Sequence, residues 1–509
     1  MASTFYGVSI ANSGLRSSKA ALLTTSNNVA NVKTTGYSRQ VVTQVAAGAA
    51  ATYSGSGIIG GGSDVTAIER ERNWRLDQSY WSQNTTQTTW QTKSDTMSQI
   101  EAVFGEPSDN GFTTVMKNFH DALENLSKAS ADSSVRTTVQ SYGQAFCQYL
   151  QDSAANLQAQ REGVNQDVKT SVDLINSYAA QLASLNGAIS QAKASGSAAN
   201  ELQDQRDLLL DKLSGVTGVT VTKTAQNGDD SNPVWTVSIG NQTLVHGTKA
   251  NKLECVASTT DAGMFDVKWE ASGDAFDANG GSLGSQLELR DGTGAGGTYQ
   301  GIRYYQTQLD EFARTFAKSF NTQHEAGYGS DGSGGPTSVY PTDFFTFENS
   351  TGAVSSQIFQ TTYSSNYNNI TAANISLSSD VKDDTAKIAA ASSNPKTTTG
   401  ESDNNNAKAL ADLLQSSNCM GTGKGTPEDA LNAIITTMGT NSSYAKRMAD
   451  NMKSAVATVS TRRASVSGVS TNEEASNLTM YQQAYEASAK VMTTWDDIYT
   501  TTLGLLNGD

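Results

Sequence analysis

The chain has 509 residues, with 35 Lys and Arg against 50 Asp and Glu, for a formal net charge of −15. That length exceeds what one hydrophobic core fills, so about two to four domains are expected, and the acidic balance argues against a nucleic-acid or anionic-membrane surface. No apolar run approaches a membrane span, and Cys147, Cys255 and Cys419, far apart and without a C-x-x-C, read as buried or half-buried free thiols rather than a disulfide framework or zinc site.

A period of 3.5 residues opens the chain. Val8, Leu15, Leu22 and Val29 lie seven apart, with Ala11, Ser18 and Thr25 at the intervening positions. The pattern predicts a helix over about 5–31, and alternating large with small residues lets a partner helix approach closely. Arg16 and Lys19 sit inside this stripe rather than ahead of an apolar run, so no cleaved secretory signal is expected. Val32 to Gln40 reads as an extended or turn segment punctuated by Gly36, and Ala46 to Gly62 as a Gly- and Ala-rich loop or weak hairpin. A helical pattern restarts between Arg70 and Tyr80 and runs to Phe104, followed by a turn at Pro107 to Gly111. Val115, Phe119, Leu123 and Leu126 predict a short amphipathic helix, another starts near Ser134, and a long one spans Gly163 to Ala194.

At Gly215 the period changes to two. Val219 and Val221, then Trp235, Val237 and Ile239, and later Phe265, Val267 and Trp269 predict strands, with Gly240-Asn241 as a hairpin turn. Helix returns through Ile302, Tyr305, Leu309, Phe312, Phe316 and Phe320. The Gly/Ser/Asn-rich stretch 327–406 offers short β-like pieces at Tyr340, Phe344, Phe345 and Phe347 and little core; beyond it helices resume through Leu410, Leu413, Ile434 and Met448. The chain closes on Glu473 to Leu506, where Ala484-Tyr485, Val491-Met492, Ile498-Tyr499 and Leu505-Leu506 recur at seven-residue steps, Leu478 stands one heptad earlier, and Tyr481 and Trp495 widen the face. As one helix this segment is about 50 Å long.

These elements predict an α+β chain: long N- and C-terminal helices forming a coiled-coil-like stalk, a helical-bundle core, and β-rich inserted outer domains. The expected units are 1–69 with 470–509, 70–214 with 284–326 and 407–469, 215–283, and 327–406. Helices of this kind are marginal alone in water, so each terminal stripe needs a partner. Either the termini bury each other within one globule, or they form a stalk that also packs against copies of itself. The C-terminal face is wider than one partner covers, which favours the stalk.

Thr24-Thr25-Ser26-Asn27-Asn28-Val29-Ala30-Asn31, followed by Gly36-Tyr37-Ser38-Arg39-Gln40, resembles the N-terminal signature of bacterial flagellar axial proteins. The Ser-Arg-Gln continuation is similar to the hook-associated proteins at the hook–filament junction, in particular the first of the two junction proteins. Asn200 to Asp207, Gly284 to Asp291, Asn321 to His324, Ser465 to Val469 and Glu473 to Val491 resemble the same family, in the same order. The likeness covers both ends and most of the helical middle and fades over the β-region and 327–406. Thr35 stands where the family usually has Pro, and Gly292 to Gly297 replaces a commoner Pro-containing connection. The resemblance implies a non-enzymatic structural subunit of a ring joining hook to filament, with Asn28, Asn31, Gly36, Tyr37, Ser38, Arg39 and Gln40 as its motif turn. It implies an extracellular, flagellar location reached by type III export without a cleaved signal. It also implies terminal helices that order on assembly, and further copies of the chain, the hook protein, the second junction protein and an export chaperone as partners. Flagellin or the second junction protein is the near alternative, which the Gly36–Gln40 turn disfavours.

Chemical motifs fail on inspection. His324-Glu325-Ala326-Gly327-Tyr328 begins like H-E-x-x-H but has Tyr where the second ligand belongs. Gly292 to Gly297 fits G-x-G-x-x-G, yet its helix runs into Gly- and Ser-rich sequence instead of a strand. Gly421 to Thr426 lacks Ser or Thr directly after Lys424. Asp204, Arg206 and Asp207 read as a helix-surface or interdomain ion pair, and Arg39 as a residue fixing the turn against a neighbouring helix or subunit. No catalytic group, metal or cofactor is expected. Against the structural reading stand a secreted hydrolase using carboxylates of the β-inserts, and an adhesin-like module carried on them.

Overall fold

The computed structural model describes residues 6–48, 51–52, 58–104, 111–226, 229–336, 338, 342–349, 354, 366–397 and 403–507, with backbone alone at 51–52, 58–59, 226, 229–231, 366 and 506–507. The turn expected at Pro107 to Asn110, Tyr340 and the Leu506 side chain lie outside this description.

Helix α1 (Tyr6–Ala30) leads into an antiparallel hairpin of β1 (Gln40–Ala46) and β4 (Ser63–Arg70), tipped by the short pair β2 (Ala51–Thr52) and β3 (Ile58–Ile59). The strands reach further than the loop or weak hairpin expected between Ala46 and Gly62, and Arg70 ends a strand rather than opening a helix. Asn73 sets the helix start: its Oδ1 accepts the N–H groups of Arg75 and Leu76, so α2 (Trp74–Phe104) begins after it.

Then come α3 (Phe112–Lys128), α4 (Ser133–Ala194) and α5 (Asn200–Val216). The two helices expected from Ser134 and from Gly163 are one, of 62 residues. A glycine inside a helix costs about 1 kcal/mol relative to alanine. Leu157, Val164, Val168 and Val172, all buried on either side of Gly163, outweigh it. Asp132 caps the start through the Ser134 N–H, and Gly196 at φ +84° follows the end.

Strands β5 (Thr220–Gln226), β6 (Asp229–Ile239), β7 (Gln242–His246) and β8 (Lys249–Ala250) form an antiparallel sheet in that order, with Gly240 at φ +54° turning β6 into β7 as the sequence predicts. A hairpin of β9 (Leu253–Ala257) and β10 (Phe265–Trp269) follows. These strands share a core with α2, α4 and α5, built on Trp81, Val172, Ile175, Leu182, Leu213, Val237, Leu244 and Trp269.

Helices α6 (Gly281–Asp291) and α7 (Ile302–His324) return to the bundle, followed by the β11 (Phe345–Phe347) and β12 (Ile375–Leu377) pair, α8 (Ser379–Asp383) and α9 (Asn405–Leu414). The small core expected of 327–406 is corrected here. Phe344, Phe345, Ile370, Ile375, Leu377 and Val381 are fully buried and join Phe119, Phe146, Phe316 and Phe320 in one aromatic cluster. Aromatic residues are only 7% of the chain, but their concentration at this point makes a dense core that an average hides. His324 is part of it: its Nδ1 lies 2.7 Å from the Thr342 carbonyl and its Nε2 accepts the Ala389 N–H at 2.9 Å.

Helix α10 (Pro427–Ser467) starts with Pro at its first turn and a reciprocal Thr426–Asp429 capping box, then packs along α2. After a short link, α11 (Thr471–Asn507) runs back along α1. The β-strands are thus inserted between helices, and the chain's two ends meet.

Candidate assembly interface

The α1–α11 pair is antiparallel and in heptad register. Asn28 hydrogen-bonds Glu474, a Cβ on Gly14 would lie 2.8 Å from the Ser488 Oγ, and a Cβ on Gly7 would overlap the Trp495 ring. Fourteen residues along one helix match fourteen along the other at the first step, and seven match seven at the second. The α1 residues inside this seam are small: Gly7, Ala11, Gly14, Ser18, Ala21, Thr25 and Asn28, at alternating steps of four and three. Small side chains bring the two backbones close, so the large rings of α11 fill the remaining space.

This splits the residues predicted from the stripes. Ala11, Ser18 and Thr25 are buried in the seam, while Val8, Leu15 and Leu22 flank it half-buried and Val29 is exposed. On α11, Tyr481, Met492, Trp495 and Tyr499 are half-buried, with the Trp495 and Tyr499 rings 5.9 Å apart. Leu478, Tyr485, Val491, Ile498 and Leu505 face solvent, from 37% exposed at Leu478 to 78% at Leu505. Leu23, Val32, Met480 and Leu503, absent from the predicted set, are exposed on the same pair or just beyond it. Among the described residues of α11 only Glu474 is buried.

Glu474 belongs to a polar clasp at the foot of the pair. Its Oε1 accepts from Arg39 Nε at 2.8 Å and its Oε2 from Asn28 Nδ2 at 3.2 Å. Asn28 also accepts from the Gln40 N–H at 3.0 Å and the Tyr37 hydroxyl at 2.8 Å, and donates to the Gln40 carbonyl at 2.9 Å. The motif turn is thereby tied to both terminal helices. Asn31 contributes differently: it donates to Asn27 and accepts from Thr34, closing the end of α1. Gly36 adopts φ +85°, a left-handed conformation, with Leu208 against it. Arg39 reaches Glu473 at 3.4 Å and Glu71 at 3.6 Å as well, so it binds α11 and the link between β4 and α2 of its own chain.

A second set of bonds fastens the turn to the core. Ser38 donates its N–H and hydroxyl to Asp204 at 3.1 and 2.6 Å, and Gln40 Nε2 donates to Glu201 at 3.0 Å. Arg70 bridges Asp204 and Asp207 at 2.6 and 2.9 Å, and Arg72 pairs with Asp77 at 2.5 Å. Arg463, near the end of α10, reaches Asp77 and Asp211, each at 2.8 Å. Burial alone raises a carboxyl's pKa. At Asp207, Arg70, Arg72 and Arg206 outweigh that effect and hold it below the ordinary value; at Asp211 burial wins and the value is raised despite Arg463. Burial, with Asp204, Glu201 and Glu474 nearby, pushes the Tyr37 hydroxyl up to about 12. The carboxylates suspected as ion-pair partners are thus buried joints. Sequence reading missed Arg70, Arg72, Asp77, Asp211 and Arg463: apart from Arg72 with Asp77, these partners lie more than a hundred positions from one another and leave no local period.

Comparison with known proteins agrees with this architecture. The profile of the flagellar hook-associated protein FlgK helical domain matches residues 97–338, and that of the flagellar basal body rod FlgEFG protein C-terminal region matches 463–505. Flagellar hook-associated protein 1 of Bacillus subtilis (strain 168) is 30% identical over 528 residues, covering 98% of this chain and 97% of the relative. Its namesake in Escherichia coli (strain K12) is 28% identical, with 97% and 98% covered. The structure of the flagellar hook junction protein FlgK from Burkholderia pseudomallei has the same fold, with a TM-score of 0.60 at 20% identity over 76% of this chain and 100% of that one. The chain belongs to the flagellar hook-associated protein 1 family.

Proposed function

We propose that the chain forms the junction ring connecting hook to filament, by self-assembly of its terminal helices. It is a structural component of the bacterial flagellum, in the part exported outside the cell. One observation carries the proposal: α1 and α11 pair in heptad register, yet Leu478, Tyr485, Val491, Ile498 and Leu505 remain open to solvent along the outer face. Covering such half-exposed side chains gains on the order of 1 kcal/mol each. Neighbouring copies, each offering the same seam, are the natural cover, and the hook protein and second junction protein are the expected partners at the ring's two faces. Delivery by a dedicated export chaperone fits the same reading.

The role is mechanical rather than catalytic. His324 spends both ring nitrogens on the core, and Asp204 and Asp207 are committed to Arg70. We divide the chain into 1–69 with 470–509 as the assembly unit, 70–214 with 284–326 and 407–469 as the helical core, and 215–283 and 327–406 as inserts. Concentration of the bonds between the first two at the Ser38–Asp204 and Gln40–Glu201 joints supports this division. Deleting residues 473–509 tests the proposal. The remainder should stay soluble and folded but fail to join filament to hook; normal swimming by cells carrying only the deletion would overturn it.

A further inference from the structure

The α1–α11 pair offers a different face on each flank of its seam. Residues seven apart stack in one column along a helix of 3.5-residue period. On α1, Gly14 points at α11. Ser13, just before it, accepts the Ser63 N–H at 3.1 Å, and Ser17 donates to the Ser63 carbonyl at 3.2 Å, so the β1–β4 hairpin lies on that flank. Leu15, just after Gly14, stands on the opposite flank, in one column with Val8, Leu22 and Val29. On α11, Glu474 and Ser488 point at α1, and Asn477 borders a small crevice with Val41 and Val42 of β1. The Asn477 column, continuing through Ala484, Val491, Ile498 and Leu505, is therefore on the hairpin flank, where the last three are 47%, 46% and 78% exposed. Leu478 and Tyr485, one residue on, share the other flank with Leu15 and Leu22.

Two unlike faces are what a ring requires. A patch that meets its own copy closes at two subunits, whereas a larger ring needs one face of each copy to mate with a different face of the next. The charges point the same way. Helix α11 carries Glu473, Glu474, Glu486, Asp496 and Asp497 against Lys490 alone, while α1 carries Arg16 and Lys19 and no carboxylate. Setting α11 on a second α11 brings like charges together; setting it on α1 brings opposite ones.

We propose that successive copies pack head to tail, the Val491–Ile498–Leu505 ridge of one seating in the groove between the Leu15–Leu22 column and Tyr485 of the next. The inference rests on assembly through the terminal helices and names the surface that covers α11. Ridge and groove both repeat every seven residues, so one contact recurs along the stalk.

Cysteine cross-linking in intact flagella, in a Cys255→Ser background, tests it. Gly14 lies level with Ser488 and Gly7 with Trp495, so Val491 falls between the heights of Val8 and Leu15. Val491→Cys is therefore combined separately with Val8→Cys and with Leu15→Cys, and treated with a short bismaleimide. At least one double variant should give a denaturing-gel ladder of trimers and larger species, and each single variant none. Where a double variant assembles poorly, the two substitutions are split between co-expressed chains, and covalent pairs of unlike chains are expected instead. Dimers from Val491→Cys alone would mean that α11 meets α11, overturning the inference. Val491→Cys shielded from maleimide in flagella, with no cross-link in any combination, would put another protein on the ridge; it would overturn the inference and leave assembly by the terminal helices standing. A ridge that stays reactive would overturn both.

Discussion

Replacing Glu474 by alanine should undo the clasp. Its side chain is 2% exposed and receives a charge-assisted hydrogen bond from Arg39 at 2.8 Å and an amide bond from Asn28 at 3.2 Å. Removing one partner of a fully buried pair costs about 3–5 kcal/mol, because the other charge is stranded. Arg39 is not fully stranded: it is 22% exposed and keeps Glu473 and Glu71 within 3.4 and 3.6 Å. The expected cost is therefore lower, about 2–3 kcal/mol, composed of one charge-assisted bond and one ordinary one. Both bonds tie the first turn of α11 to the motif turn, so the loss should appear as faster hydrogen exchange through α11 and α1, with the helical core unaffected. A double-mutant cycle with Arg39→Ala isolates the pair and should give a coupling of about 1.5–2 kcal/mol. A Glu474→Ala effect below about 0.5 kcal/mol, in the range of ordinary surface substitutions, would refute the reasoning.

Three further outcomes follow from the packing. Gly14→Val should push α1 from α11, since even a Cβ there lies 2.8 Å from Ser488 Oγ; overpacking of this kind costs about 1–3 kcal/mol, read as lost helicity by circular dichroism. Phe320→Ala should destabilise the helical core by about 3–5 kcal/mol in denaturant titration, the ring being fully buried among Phe119, Phe316, Phe344 and Phe345. His324, buried and pushed down to about 4, is held neutral in the folded chain while the unfolded chain takes a proton near the ordinary value of 6.5. Its contribution is therefore present above pH 6.5 and lost as pH falls towards 4, and His324→Phe should flatten stability over that window in denaturant titrations at a series of pH values.

The heptad stripes were legible because helix–helix contact repeats along the chain. Reading them for large side chains placed Val8, Leu15 and Leu22 at the centre, whereas the seam runs through Gly7, Gly14 and Ala21, one residue earlier. Close antiparallel packing rewards the absence of side chain, a signal that hydrophobicity does not carry. The same blindness divided α4 at Gly163, where burial on both flanks overrides a local penalty. Phe344 and Phe345 were visible as β-like residues, but their place in the core depends on α3, α4 and α7, more than twenty to two hundred positions away. For the clasp, the turn itself could be found from its residues. Its partners could not, apart from Asp204 and Asp207, whose flanking Arg206 suggested an ion pair.

The most direct test of the stalk labels one position before and after assembly. Val491→Cys places a thiol on the exposed face of α11, in a Cys255→Ser background that removes the half-buried native thiol. With Cys147 and Cys419 buried, the new thiol should react readily with maleimide in the dilute monomer and become protected in intact flagella. Equal labelling in both states would mean that this face stays bare in the assembled flagellum, and the account of how the subunits join would be wrong.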